Sequence, residues 1–192
     1  MHRRWMMPAL LALTGAAALV ATYAAANQTL VANQSEVAYV TSTMGAEVEG
    51  SFGRFEAQID LDPNKLQTSS VSFAVDTSSV NFPSTDVQKE LVKADWLDAA
   101  HYPKAEFRSN RIQKLPDGRF QITGTLTIKG HAHEVVVPTS LTRSGATTFA
   151  SGTLTIKRLD YGVGLGEWGD TSLVADPVVI KFKLALSGMG ST

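Results

Sequence analysis

Apolar residues fall at every second position along most of the chain after Ser35. This is the period of a β-strand that rests one face on a core and turns the other to water. The alternation is clearest at positions 55–61, 71–75, 120–128 and 178–186. We therefore predict half-buried antiparallel strands through most of the chain.

Residues that favour tight turns separate these stretches. They stand at 62–64, 116–118, 129–130 and 144–145, and each group contains Gly, Pro, Asn or Asp. Short strands joined by such turns indicate an antiparallel meander, which must close on itself or pair its edges. The pattern predicts an all-β domain that is either a barrel or a sandwich.

One segment, at 84–97, departs from this period. Val87, Leu91 and Ala94 are spaced as on one face of a helix, and each of the three residues at 84–86 is a suitable N-cap. We expect a short helical excursion across one end of the barrel. It either covers a cavity as a lid or completes the core as a plug.

The N-terminal 26 residues have the pattern of a secretory signal peptide. Arg3 and Arg4 precede an apolar run at 6–20, and small residues follow at 24–26. An uncleaved membrane anchor is the alternative, because the run approaches the length that spans a bilayer. We expect cleavage near Ala26 and a periplasmic protein.

The rest of the chain suits one domain. We expect a lead-in at 27–34, a β-barrel domain at 35–187 and a flexible tail at 188–192. The sequence has no cysteine, so the fold depends on its core rather than on disulfides. The formal net charge of −1, with no basic stripe, argues against a nucleic-acid partner.

The sequence contains few candidates for catalysis or metal binding. His131, His133 and Glu134 could ligate a metal, but the chain supplies no further cluster to complete a site, and a polar turn is the better interpretation. There is no G-x-S-x-G motif, and the glycines at 162–166 lack the following lysine of a phosphate-binding loop. We expect neither an enzyme nor a metal site.

The stretch at 158–171 is unusually rich in glycine. Arg158 and Asp160 could pair there, and Tyr161 and Trp168 contribute large amphipathic rings. The stretch either forms a rim that gates a cavity or packs its aromatic rings on the barrel end.

An eight-stranded barrel has an interior that is filled by side chains or holds one small ligand. The residues predicted to face inward are mostly apolar and aromatic, so any ligand should be apolar, although each one separately is also typical of an ordinary core. The candidate ligand-binding residues on the lining and rim are Phe55, Phe73, Val75, Leu91, Trp96, Phe107, Phe120, Leu126, Tyr161, Trp168, Ile180 and Phe182.

Several short motifs resemble the YceI-like family in their order and spacing over residues 35–186. They include the segments at 50–55, 75–80, 95–98, 102–103, 107–109, 124–130 and 158–164. The resemblance implies an eight-stranded, lipocalin-like antiparallel barrel whose apolar tunnel accepts an isoprenoid chain, such as a quinone tail or a polyprenyl phosphate, or a fatty amide. It implies no catalytic residue and no cofactor other than such a bound lipid.

Two functions follow as hypotheses. The first is periplasmic binding, storage or transport of an isoprenoid-type or other long-chain lipid. The alternative is a non-catalytic interaction module for a membrane respiratory or stress-response partner, since the segment at 166–171 resembles family members attached to membrane b-type cytochromes. A homodimer is compatible with both. An interior cavity would favour the first function and a filled interior the second.

Overall fold

One curled antiparallel sheet dominates the structure, a computed structural model that describes residues 28–189. The strands are β1 (Thr29–Leu30), β2 (Glu36–Thr43), β3 (Ala46–Phe52), β4 (Phe55–Asp60), β5 (Ser70–Asp76), β6 (Val80–Asn81), β7 (Lys104–Lys114), β8 (Phe120–Ile128), β9 (His131–Ser144), β10 (Thr147–Lys157) and β11 (Pro177–Ser187). A single α-helix in this range, α1, spans Thr85–Leu91, and short 3₁₀ helices lie at Ala32–Gln34, Thr77–Ser79, Arg158–Tyr161 and Gly166–Gly169.

The N-terminal residues join β4, at one end of the sheet, to β11 in its middle. Neighbours run β4-β5-β7-β8-β9-β10-β11-β2-β3-β6, with β1 paired to β11. The Gln28 amide donates to the Ile59 carbonyl at 3.2 Å, so residues 28–30 connect β4 to β11. The predicted all-β antiparallel barrel is confirmed.

The strand count differs from the expected eight. The sheet has 11 strands, of which β1 and β6 are 2 residues each. A two-residue strand is too short to show alternation in the sequence, so its pairing depends on contacts that only the fold creates.

The helical excursion is present but shorter than the predicted 84–97. Helix α1 begins after Ser84, whose hydroxyl accepts from the Val87 amide at 3.5 Å, and it ends at Leu91. Turns follow, in which the amides of Trp96 and Asp98 both donate to the Lys93 carbonyl. Within residues 28–189, no helix has the length and apolar character needed to cross a bilayer.

Three aromatic rings lie against glycines of neighbouring strands. The pairs are Tyr39 with Gly50, Phe107 with Gly124 and Phe182 with Gly152. A Cβ added to Gly152 would lie 2.2 Å from the Pro138 carbonyl oxygen and 2.7 Å from Cζ of Phe182. Because glycine leaves this space open, the rings lie along the wall of the sheet instead of crossing the interior.

We expect Gly152→Ala to lower the free energy of unfolding by about 1–3 kcal/mol, because the added methyl overlaps a backbone oxygen and a ring that cannot both move away. Urea unfolding measures the loss. Gly169→Ala is the matched control, since a Cβ there meets no atom within 4 Å, and it should change stability by less than about 0.5 kcal/mol. Equal stability of the two variants would contradict the close packing of Phe182 on Gly152.

Candidate functional site

The curled sheet encloses a cavity of about 520 Å³. This volume lies in the range of pockets that bury small-molecule ligands. The lining is apolar except for a few threonines, Tyr39, the two tryptophans and three charged side chains, Glu90, Glu106 and Arg158. The interior of the barrel is therefore not filled by its own side chains.

Tightly packed aliphatic residues close one end of the cavity. Ile59, Leu61, Ile122, Leu184 and Leu186 line it there and belong to the main buried cluster. Leu186 is only 1% exposed, and it pairs with Leu30 of β1 at the seam of the sheet. A ligand bound here would have this end of its chain out of contact with water.

Helix α1 lies over another part of the lining. Val87 and Leu91 face the cavity, but no residue of the helix is buried, and Val87 remains 38% exposed. The helix thus covers an opening of the cavity rather than filling its centre. This placement fits the predicted lid better than the predicted plug, although whether the helix moves stays a prediction.

Arg158 holds the glycine-rich stretch in place. Its guanidinium donates five hydrogen bonds of 2.7–3.0 Å to backbone carbonyls, those of Val163, Gly164, Trp168, Val174 and Ala175. The expected pairing with Asp160 is wrong, because these carbonyls take all five guanidinium N–H groups. Burial lowers the pKa of Arg158, and the charge of Asp176 opposes that shift.

This stretch is joined to the helical segment. The Asp95 carbonyl accepts from the amides of Gly164 and Leu165 at 2.8 and 2.9 Å. The rings of Trp96 and Trp168 lie 5.7 Å apart, and the Arg158 guanidinium lies 5.8 Å from the centre of the Trp96 ring. Both tryptophans line the cavity, so the glycine-rich stretch and the helical segment together form one rim.

Several polar groups of the lining are shielded from water. The Tyr39 hydroxyl donates to the Asn81 carbonyl at 3.1 Å, and burial raises the pKa of Tyr39, which keeps it neutral. Thr41 Oγ1 and Trp96 Nε1 are buried without a hydrogen-bond partner. An unpaired buried N–H or hydroxyl is unfavourable by about 1–3 kcal/mol.

The histidines considered as metal ligands have other surroundings. His131 and His133 are the first and third residues of β9, not part of a polar turn. His133 Nε2 lies 3.0 Å from the Asp160 carbonyl oxygen, and its ring packs edge-on against Tyr161. Over residues 28–189, no three His, Cys, Asp or Glu side chains gather closely enough to hold a metal ion.

Comparison with known proteins agrees with this architecture. The sequence model of the YceI-like domain matches residues 28–186, which is most of the chain. The chain belongs to the YceI-like family. The resemblance seen in its motifs is thereby confirmed.

Relatives of this YceI-like protein include UPF0312 proteins of Ectopseudomonas mendocina, 27% identical over 81% of this chain and 86% of the relative, and of Vibrio cholerae, 26% identical. The Vibrio match covers 60% of this chain and 65% of the relative, so it spans less than two thirds of that protein.

Solved structures share the YceI-like fold. Burkholderia cenocepacia BcnA superposes with a TM-score of 0.78 at 39% identity, over 81% of this chain and 98% of BcnA. A polyisoprenoid binding domain from Saccharophagus degradans, implicated in plant cell wall breakdown, superposes with a TM-score of 0.67 at 17% identity, over 84% and 98% of the two chains.

The YceI-like cavity brings together nine of the twelve candidate residues. These are Phe73, Val75, Leu91, Trp96, Phe107, Leu126, Trp168, Ile180 and Phe182. The other three lie elsewhere. Phe55 packs against the Phe73 ring at 5.9 Å, Phe120 is a core residue 4% exposed, and Tyr161 packs in a second buried cluster with Leu126 and Ile128. That the nine contact a ligand stays a prediction.

Sequence reasoning missed one side of the lining. Val37, Tyr39, Thr41 and Thr43 of β2 all face the cavity, as does Val48 of β3. These β2 residues are two positions apart, so the alternation of a strand was present in the sequence. Two of the four are polar threonines, however, and the segment was therefore not recognised as part of an apolar lining. The stretch that begins at Arg158 was recognised as unusual, yet the role of Arg158 as an internal donor to carbonyls has no sequence signature.

Proposed function

We propose that this protein binds one long-chain apolar lipid, of isoprenoid or similar type, inside the barrel and stores or carries it in the periplasm without changing it chemically. The observation that supports this proposal most directly is the apolar cavity. Its walls come from nearly every strand of the sheet, so a chain placed inside is surrounded on all sides.

The energetics favour a long hydrocarbon chain. Burial of each methylene contributes about 0.8 kcal/mol, so ten buried methylenes contribute about 8 kcal/mol before the entropy lost on binding is subtracted. The walls have few polar groups to select a polar molecule of the same size. A chain of this kind therefore gains more from the cavity than a compact polar metabolite does.

The relatives support the same ligand class. The Saccharophagus degradans protein is described as a polyisoprenoid binding domain. Its identity of 17% makes it a guide to the fold, and we extend its ligand to this chain as part of the proposal. An isoprenoid chain is branched and unsaturated, and wall residues such as Val, Ile and Phe pack well against such a shape.

Binding without catalysis is also part of the proposal. The two carboxylates on the lining, Glu90 and Glu106, lie at partly exposed positions, where they pair with Lys93 and Arg108. General acid–base catalysis needs a titratable side chain within hydrogen-bond reach of the reacting atom, and carboxylates held in these partly exposed ion pairs are poorly placed for it. Periplasmic location depends on the predicted signal peptide, which lies outside the described residues.

The interaction-module alternative predicted a filled interior, and the cavity counts against it. The carrier function is compatible with a membrane partner, because a carrier must release its lipid to another molecule. It is also compatible with a homodimer. No feature of the described residues gives either of them separate support.

Native mass spectrometry of the protein purified from its source tests the proposal. We expect a stoichiometric adduct, released on denaturation and identified as an isoprenoid or another long-chain lipid. Protein that is bare after purification, and that also fails to bind added quinones and polyprenols, would overturn the carrier function and favour the interaction module.

A further inference from the structure

Four exposed hydrophobic side chains lie around the open end of the cavity. Met44 is 77% exposed and Leu165 44%, while Val87 and Leu173 are 38% exposed each. Val87 belongs to helix α1 and Leu165 to the glycine-rich stretch, and these two segments form the rim. Among residues 28–189, the other exposed large hydrophobic residues are Tyr102 and Val136.

Backbone contacts connect the tip of the β2–β3 hairpin to the same rim. The Met44 amide donates to the Leu173 carbonyl at 2.9 Å, and the adjacent residues Thr43 and Val174 form a bridge. Thr43 and Val174 both line the cavity, so Met44 and Leu173 lie directly outside its lining. We call the three segments that surround this opening the mouth, and they span residues 43–47, 85–91 and 163–174.

The turn itself does not explain a methionine at position 44. Met44 has a φ of 50°, in the left-handed region that favours asparagine and glycine over long side chains. The other hairpin turns of the described residues also place one residue before a left-handed glycine, and there it is polar: Asp117, Lys129 or Ser144. Because the Met44 side chain is also largely exposed, packing does not account for it either.

The unpaired charges of the mouth are negative. Glu47, Glu167 and Asp170 are exposed, and no ion pair within residues 28–189 involves them, whereas Lys89 pairs with Asp86. The segment at 163–174 contains no Lys, Arg or His. An anionic surface would therefore be repelled from the mouth, and salt would screen that repulsion.

A bilayer is the surface that fits both the cavity and the exposed residues. A lipid that passed through water would expose its chain, and each exposed methylene lowers the population of that state by about 4-fold, or about a million-fold for ten methylenes. Direct contact with the bilayer avoids this barrier. The interface of a bilayer also accepts separated apolar side chains without needing a complementary shape.

We propose that the mouth docks on a lipid bilayer whose headgroups are zwitterionic or uncharged, with Met44 and Leu173 inserted so that the cavity opens toward the acyl chains. The docking surface is the lipid itself and not a membrane protein. This inference rests on the proposed lipid-binding function and names the partner of the same cavity.

Sedimentation of the purified protein with phosphatidylcholine vesicles measures the docking. We expect binding that persists at high salt, because salt does not screen the insertion of apolar side chains. Vesicles that also contain phosphatidylglycerol should bind more weakly at low salt and equally well at high salt. Binding that requires phosphatidylglycerol, or no binding to either kind of vesicle, would overturn the proposal.

Met44→Asn tests the insertion, because asparagine suits the left-handed backbone and should leave the hairpin at least as stable. We expect vesicle binding to weaken by about 3-fold to 10-fold, and Leu173→Asn should have a similar effect. Val136→Asn is the matched control: Val136 is 44% exposed but faces outward from β9, since its neighbour Val137 lines the cavity. Equal losses in the Met44 and Val136 variants would rule out a specific role of the mouth.

Two further measurements separate docking from lipid binding and from self-association. Without vesicles, the uncharged dye 1-N-phenylnaphthylamine should bind the unaltered protein and Met44→Asn equally. If the dye binds and vesicles do not, docking is wrong and the carrier function stands; if vesicles bind but the dye, quinones and polyprenols do not, docking stands and the lipid-binding function is wrong. If size-exclusion chromatography shows that Met44→Asn dissociates a dimer while vesicle binding is unchanged, the mouth is an interface between two copies and the proposal fails.

Discussion

Replacing Arg158 with methionine is expected to lower the free energy of unfolding by about 3–5 kcal/mol. Methionine keeps part of the volume but donates no hydrogen bond, so five carbonyls lose their partner. The residue is 2% exposed, and water cannot easily replace the lost donors. The loss of local structure should be greatest in the stretch at 158–176, which contains these carbonyls.

Urea unfolding followed by circular dichroism measures this effect. Arg158→Lys should be intermediate, because an ammonium carries the charge but has only three donors. Arg108→Met is the control: its side chain is 70% exposed, and we expect a change below about 1 kcal/mol. If Arg158→Met and Arg108→Met were equally stable, Arg158 would not organise the rim.

Ala150→Phe is expected to weaken lipid binding by about 200-fold while leaving the fold intact. Ala150 lines the cavity and is 7% exposed, so a phenyl ring at this position occupies space inside the barrel. It would displace roughly four methylenes of a bound chain, each contributing about 0.8 kcal/mol. Overpacking a buried position lowers stability by about 1–3 kcal/mol, and the adjoining cavity should keep the loss of unfolding free energy within that range.

Competition with the same uncharged dye measures the affinity, and urea unfolding measures the stability. Ala132→Phe is the control, because Ala132 is an exposed residue of β9 and the same ring would project into solvent. Its affinity for lipid should equal that of the unaltered protein. Unchanged binding by Ala150→Phe would show that the ligand lies outside the cavity.

The strand period predicted most of this architecture. Phe73, Val75, Phe107 and Leu126 face the cavity because alternation in an antiparallel sheet assigns every second residue to one face. The N-cap at Ser84 was also among the predicted candidates, since a hydroxyl before a helical spacing has a local function. These features depend on neighbours in sequence, which is why they could be predicted.

Other features depend on contacts between distant segments. Phe120 alternates like its neighbours on β8, yet it does not line the cavity, because at the start of the strand it packs within the main buried cluster. The five carbonyls that Arg158 binds come from two parts of a loop whose path has no periodic signal. Alternation indicates which face is apolar, but it does not determine whether opposing faces touch or leave a cavity.

The wall of the cavity is incomplete until β11 pairs with β10 and β2. The Ala185 amide donates to the Ser35 hydroxyl across 150 residues of sequence, and β11 also pairs with β1 at the seam. Contacts of such high sequence separation form slowly, because loop-closure entropy is lost before they contribute. A chain still lacking Pro177–Ser187 has a gap in the wall, so the cavity is complete only after that strand has been synthesised.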